Sequence, residues 1–229
     1  MIRSLAAFAL IAGLVGPARA ADAAHPTVIE LFQSQGCSSC PPANANVMAL
    51  SDRPDILALS FQVTYWDQLG WKDTFGSPQF TARQYDYARG LRHDNVFTPQ
   101  VVINGRADVV GIQHGEIERA IARSDRGVGG PTVTIASGRV AIAGGALAAP
   151  AQVWLVRYDP NIVQVPIRRG ENGGRTLPHK NIVRTLTRLG DWSGPARSWA
   201  LPAAGQAGLR TAILVQAGPG GPILAAARG

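Results

Sequence analysis

Glu30-Leu31-Phe32-Gln33-Ser34-Gln35-Gly36-Cys37-Ser38-Ser39-Cys40-Pro41-Pro42 holds the only two cysteines of the 229-residue chain, spaced Cys-x-x-Cys where an apolar run gives way to helix signals. Thr27 to Phe32, rich in Val, Ile, Leu and Phe, reads as a buried strand. Pro41 and Pro42 suit a first helical turn, where proline's missing N–H is no loss. Ala43, Val47 and Leu50 then share one helical face, and Pro54 marks the stop. Cys37 is thereby predicted at a helix N-terminus, where free N–H groups and the macrodipole favour a thiolate. Two intervening residues also let a Cys37–Cys40 disulfide close and open readily. The pattern points to a redox dithiol.

Other readings of the pair stay open. A static disulfide clamp closing only two residues removes little chain entropy and stabilises little. Half of a zinc site lacks its second half, because there is no other Cys pair and His25, His93, His114 and His179 lie far apart without ligand spacing. Copper handling suits soft thiolates, but the sequence puts no Met or His close by.

Arg3, an apolar run from Leu5 to Val15 and Pro17-Ala18-Arg19-Ala20 form an export leader, predicted to be cleaved after Ala20. Its apolar run is too short to span a bilayer, and no later stretch reaches about 18 uninterrupted apolar residues. The expected location is a bacterial periplasm or the exterior, where disulfides persist. Charge divides what remains. Residues 21–130 carry nine basic and twelve acidic side chains, residues 131–229 eleven and three. Arg126-Gly127-Val128-Gly129-Gly130-Pro131 between them reads as a linker. The basic half suits an acidic partner, or is simply a solvated arginine-rich surface. No basic-aromatic motif indicates nucleic acid, and no hydrolase triad, phosphate loop, repeat or cofactor motif appears.

Ile56 to Val63 predicts a second buried strand, followed by the aromatic-rich Tyr65-Trp66-Asp67-Gln68-Leu69-Gly70-Trp71-Lys72-Asp73. Ser77-Pro78 opens a helix with Phe80, Gln84, Tyr87 and Leu91 inward. Thr98-Pro99 leads into the short strand Gln100 to Ile103, Asn104-Gly105 turns a hairpin, and a helix runs from His114 to Ser124. Parallel pairing across each helix would gather Cys37, the Tyr65–Trp71 segment and Pro99 on one sheet edge.

With those residues in view, the chain resembles the thioredoxin superfamily. Its stretches Glu30 to Pro42, Tyr65-Trp66-Asp67, Gly70 to Asp73, Phe80 to Gln84 and Thr98 to Gly105 are more narrowly similar to a secreted bacterial family, domain of unknown function 1223. Gln62 and Thr64 stand where that family often has His and Asp. The resemblance implies a thioredoxin-like domain and export more firmly than any activity. It implies that Pro99 is cis, leaving nearby backbone open to an extended peptide beside Thr98, and that Glu30 is a buried acid accepting the proton of Cys40. Cys37 is the expected nucleophile, as the more exposed of the pair, and Cys40 the resolving thiol. Trp66 and Trp71 form either a substrate wall or packing over the sheet edge.

From Pro131 onward short β runs alternate with Gly and Pro turns. Ser137-Gly138 turns a hairpin, Pro166 marks an edge strand, and Arg168 to Arg175 is the most polar loop. The expected architecture is an α/β thioredoxin-like domain, residues 21–130, followed by an all-β antiparallel sandwich-like domain, residues 131–229. The expected function is exported thiol–disulfide exchange on protein or peptide disulfides. A non-catalytic binding module with a local clamp is the alternative.

Overall fold

β1 (Thr27–Gln33) and β2 (Ile56–Gln62) are buried at every residue, as strands with so few polar positions must be. They run parallel, Thr27 opposite Ile56 through to Gln33 opposite Gln62. α1 (Cys40–Leu50) connects them. Ser77 caps α2 (Pro78–Leu91), its side chain accepting from the Gln79 N–H at 3.3 Å. β3 (Gln100–Ile103) returns antiparallel along β1 and turns into β4 (Ala107–Val109). Asn104 and Gly105 make that turn with φ of 49° and 60°, the left-handed backbone an Asn-Gly pair tolerates. α3 (His114–Ser124) follows. The computed structural model describes residues 20–229; the expected leader, Ala20 apart, lies outside the described residues.

The expected two-part architecture, a thioredoxin-like α/β domain followed by a separate sandwich, is not what the chain builds. β7 (Ala151–Asp159), β10 (Ile182–Trp192), β12 (Arg210–Gln216) and β13 (Ile223–Arg228) enter the sheet of the first half. The result is one eight-stranded mixed sheet, ordered β13-β12-β7-β10-β2-β1-β3-β4. The seam is at β2, where Ile182 pairs with Ser60 in parallel. There the Ser60 N–H donates to the Asn181 carbonyl and the Asn181 side chain to the Ala58 carbonyl, both at 2.9 Å. Left alone, β2 would expose an apolar edge with unpaired backbone groups, and β10 covers it. Most strands of the second half were legible as strands, but which sheet each joins depends on pairing with residues far away in sequence.

One face of this sheet carries a single core spanning both halves, from Val28, Phe32 and Phe61 to Val156, Ala212 and Leu214, with Phe80 and Tyr87 of α2 packed on it. The other face is divided. α1 and α3 cover Ile29, Leu31, Ala58 and Val101, while Val140 and Ile142 pack on Val153, Leu155, Ile213 and Val215. Those two belong to β6 (Arg139–Ile142), central in a small sheet between β5 (Val133–Ala136) and β11 (Arg197–Ala200).

A buried ion pair ties the halves together. The Arg83 guanidinium donates to both Glu30 oxygens at 2.5 and 3.0 Å and to Gln216 of β12 at 3.1 Å. The Tyr87 hydroxyl donates to Glu30 at 2.5 Å. Burial opposes the Arg83 charge, but the Glu30 carboxylate outweighs it and holds the guanidinium pKa above its ordinary value. Burial, with Glu30 adding to it, pushes the Tyr87 hydroxyl well up, so it stays protonated.

Replacing Arg83 by Met leaves a buried carboxylate uncompensated and should cost about 3–5 kcal/mol. Because Gln216 shares the network, peptide-resolved hydrogen exchange should show β1 and β12 losing protection together. Loss confined to residues 27–103 would mean two independent folding units.

Candidate functional site

β1 ends at Gln33, and Ser34, Gln35 and Gly36 carry the chain across the sheet edge to Cys37. The Cys37 N–H donates to the Ser34 carbonyl at 3.1 Å, and the Cys40 N–H to the Cys37 carbonyl at 3.2 Å. Cys37 and Cys40 form a closed disulfide, their Cα atoms 5.4 Å apart, at the first turn of α1. Pro41 and Pro42 have no N–H, so this helix start offers fewer free donors than a generic one. The donor at hand for the Cys37 sulfur is Ser39 Oγ at 3.4 Å.

Both cysteines are buried, Cys37 at 0% exposure and Cys40 at 1%, so Cys37 is not the exposed member of the pair. The cover comes from the second half. β8 (Val163–Pro166) and β9 (Thr176–His179) form a two-stranded ribbon whose connecting loop is the polar stretch Arg168 to Arg175. Val165, Ile167 and Leu177 pack against Trp71 and Phe75, bringing that loop onto the cysteines. Asn172, fully buried, donates to the carbonyls of Gln35 at 3.0 Å and Cys37 at 2.9 Å. Arg175 holds the Asn172 oxygen at 2.7 Å, and exposed Glu171 accepts from the Ser38 N–H at 3.0 Å.

The remaining expected site residues divide. Trp66 donates to Thr98 Oγ1 at 2.7 Å, and the Thr98–Pro99 bond is cis, one step beyond the Phe32–Gln100 pair. Trp71 donates to Gln35 Oε1 at 2.9 Å, and Gly170 of the covering loop lies against it. Both tryptophans flank Gly36, so Trp66 and Trp71 lie beside the cysteine loop, with Thr98 joined to it through Trp66. Glu30 it does not. Strand side chains alternate between faces, and Glu30 points with Val28 and Phe32 toward α2, whereas Cys40 begins α1 on the opposite face. Locked onto Arg83 across the sheet, Glu30 cannot take a proton from Cys40.

The α1 side carries other polar residues. Gln33 Nε2 donates to Asn44 Oδ1 at 2.9 Å and Ser60 Oγ at 2.7 Å, and Gln62 Nε2 to the same Ser60 Oγ at 3.0 Å. Asp73 accepts from the N–H groups of Gln35 and Phe75 at 2.7 and 2.9 Å. Burial pushes its carboxyl up to about 7 against the pull of those donors. His179 of β9 is 2% exposed, and neither ring nitrogen has a partner. Burial alone pushes it down to about 4, so it is neutral at pH 7. His179 shares a small cavity with Cys40 and Asn44. Sequence reading missed Asn172 and His179, since their relation to the cysteines exists only once the ribbon docks. Among the described residues no group of three or more His, Cys, Asp or Glu side chains is arranged to hold a metal.

Residues 28–216 match the family described as "Protein of unknown function (DUF1223)". The chain belongs to this family. Among solved structures, the crystal structure of protein AGR_C_4864 from Agrobacterium tumefaciens is similar at 30% identity and a TM-score of 0.75, covering 92% of this chain and 95% of that one. HBP35 of Porphyromonas gingivalis shares the fold at 11% identity and a TM-score of 0.58, over 90% of this chain and 74% of that one. No curated protein matches the chain. The DUF1223 match spans both the cysteines and the ribbon that covers them.

Asn172→Ala should cost about 1–3 kcal/mol, since the buried Gln35 carbonyl loses its side-chain donor and the Cys37 carbonyl keeps only the Cys40 N–H. It should also speed reduction of the disulfide by a water-soluble phosphine, followed by thiol labelling; an unchanged rate would mean that Asn172 is not the latch of the cover.

The two buried titratable groups act on stability in opposite senses. His179 is depressed, so unfolding takes up a proton between about 4 and its ordinary 6.5. Its contribution is lost as pH falls through that window, roughly 3 kcal/mol in full. Asp73 is raised, so the folded state holds the extra proton from 3.8 to about 7, and stability falls as pH rises through that range. In urea unfolding of the oxidised protein, His179→Phe should abolish the acid-side loss and Asp73→Asn the neutral-side loss. Parallel pH curves for wild type and variant would refute the assignment.

Proposed function

We propose that this chain is an exported thiol–disulfide oxidoreductase acting on protein or peptide disulfides through Cys37 and Cys40. The observation that carries the reading is the closed Cys37–Cys40 disulfide at the first turn of α1, with the hydrogen-bonded side chains of Gln33 and Asn44 on the cavity behind Cys40. A clamp over two residues adds little stability, so exchange chemistry is the better reason for the pair. Cys37 is the nucleophile in this reading. It precedes the helix, Ser39 can donate to its thiolate, and exposed Ser38 and Ser39 mark the side from which a substrate arrives. Attack requires the Glu171–Asn172 cover to lift, which also takes the Glu171 carboxylate away from a developing thiolate. Export follows from the leader expected at Met1 to Ala20 and fits a compartment where disulfides persist.

The burial of both sulfurs favours a second reading, a binding module whose disulfide fastens the cysteine loop to the ribbon. The reduction potential separates the two, because labile pairs lie above about −300 mV and structural ones below it. On the first reading, Cys40→Ala accumulates mixed disulfides with a generic disulfide peptide on non-reducing gels and Cys37→Ala accumulates none. Equal trapping by both variants would overturn the order of attack. No trapping together with a potential below −300 mV would favour the binding module.

A further inference from the structure

Behind Cys40 lies a cavity of about 40 Å³ lined by Gln33, Ser34, Cys40, Asn44, Leu177 and His179, among others. That is room for a water molecule but not for a substrate. Nearly every polar group on its wall already has a partner. Gln33 Nε2 is shared between Asn44 and Ser60, Asn44 Nδ2 donates to the Pro178 carbonyl at 2.7 Å, and Ser34 Oγ accepts from the Gly36 N–H at 3.1 Å. The two ring nitrogens of His179 remain without one. Buried polar groups are nearly always paired, so an imidazole with both nitrogens orphaned calls for a physical reason.

The disulfide supplies one. A disulfide sulfur carries no proton, whereas reduction creates an S–H group at Cys40 on the wall His179 shares. We infer that His179 is the proton acceptor and donor for Cys40, directly or through one water in the shared cavity, so that the imidazole is unpartnered in the oxidised protein and paired in the reduced one. The inference rests on the oxidoreductase reading and supplies the proton carrier that Glu30, across the sheet, cannot be.

The exchange balances as follows. The Cys37 thiolate attacks a substrate disulfide, forming a mixed disulfide and releasing one substrate thiolate, which takes a proton from water. Cys40 S–H passes its proton to His179, and the Cys40 thiolate attacks the Cys37 sulfur. The Cys37–Cys40 bond forms, the mixed disulfide breaks, and the second substrate thiolate leaves and is protonated as His179 gives up its proton. Two electrons pass from the dithiol to the substrate, and the reverse sequence reduces the protein.

Other charged groups near His179 are engaged elsewhere. Lys180, just past the end of β9, pairs with Asp52 at 2.5 Å, and Arg184 lies over the ring of Phe75 at 4.7 Å. That ring meets the imidazole edge-on at 6.2 Å, and Asp73 is held by Gln35 and Phe75 N–H groups. With no fixed charge on the cavity wall, a thiolate at Cys40 is the one charge that can draw a proton onto the imidazole, and the two groups titrate as a pair.

The test is nuclear magnetic resonance of the His179 ring in the mature chain, titrated as the disulfide, after reduction with dithiothreitol, and in Cys37→Ala, which keeps Cys40 as a free thiol. The midpoint should lie near 4 in the disulfide form. It should shift by about one unit or more in the other two, where the Cys40 S–H gives the ring a partner that the disulfide lacks. His179→Gln should leave the first attack unchanged while slowing resolution of the mixed disulfide about 100-fold. One common midpoint in all three forms would overturn the inference even if exchange activity is present, as would a disulfide that dithiothreitol cannot open in the folded protein. A redox-linked midpoint without exchange activity would uphold the coupling of Cys40 to His179 and refute the oxidoreductase reading instead.

Discussion

Glu30 projects its carboxylate from the middle of β1 into the core, and a charge there is tolerable only because Arg83 grips both oxygens while Tyr87 donates a third hydrogen bond. Satisfying that one group fixes much else. Arg83 and Tyr87 lie one turn apart on α2, which seats the helix on β1, and Gln216 completes the network from β12. α2 therefore rests on strands of both halves. Gly90 and Gly220 show how closely, since a Cβ on Gly90 would lie 2.2 Å from the Gly220 carbonyl oxygen.

On the opposite face the arrangement differs in kind. The polar side chains behind the cysteines are neutral, and the titratable groups nearest them are held in uncharged or half-charged states by burial: His179 near 4 and Asp73 near 7. The sheet thus separates the Arg83–Glu30 pair from a site whose protonation can respond to the redox state of Cys40.

The covering ribbon gives the second half a role at this site. Its apolar inner face, Val165, Ile167 and Leu177, docks on Trp71 and Phe75, and its loop places Asn172 on the carbonyls of Gln35 and Cys37. A cover held by a few hydrogen bonds and three aliphatic side chains is the sort of element that opens locally without global unfolding. On the oxidoreductase reading, the disulfide is shielded in the resting protein and reached when this cover opens.

Local pattern alone determined the strand of Thr27 to Phe32, the Cys-x-x-Cys helix start, the Ser77-capped helix, the Asn104-Gly105 turn and the strand character of most segments after Pro131, because periodicity, caps and turn residues act over a few neighbours. The approach of the Trp66–Trp71 segment to the cysteine loop was legible for the same reason, since successive strand ends in an α/β arrangement share an edge. Three things were decided only by the tertiary structure. Glu30 faces away from Cys40, because the face a strand residue points to is fixed by which helix packs there. The second half joins the first in one sheet, because edge pairing between Ile182 and Ser60 leaves no mark in either segment's own pattern. Asn172 and His179 reach the cysteines across more than a hundred residues of chain, through a ribbon whose docking depends on the shape of Trp71 and Phe75 rather than on any spacing along the sequence.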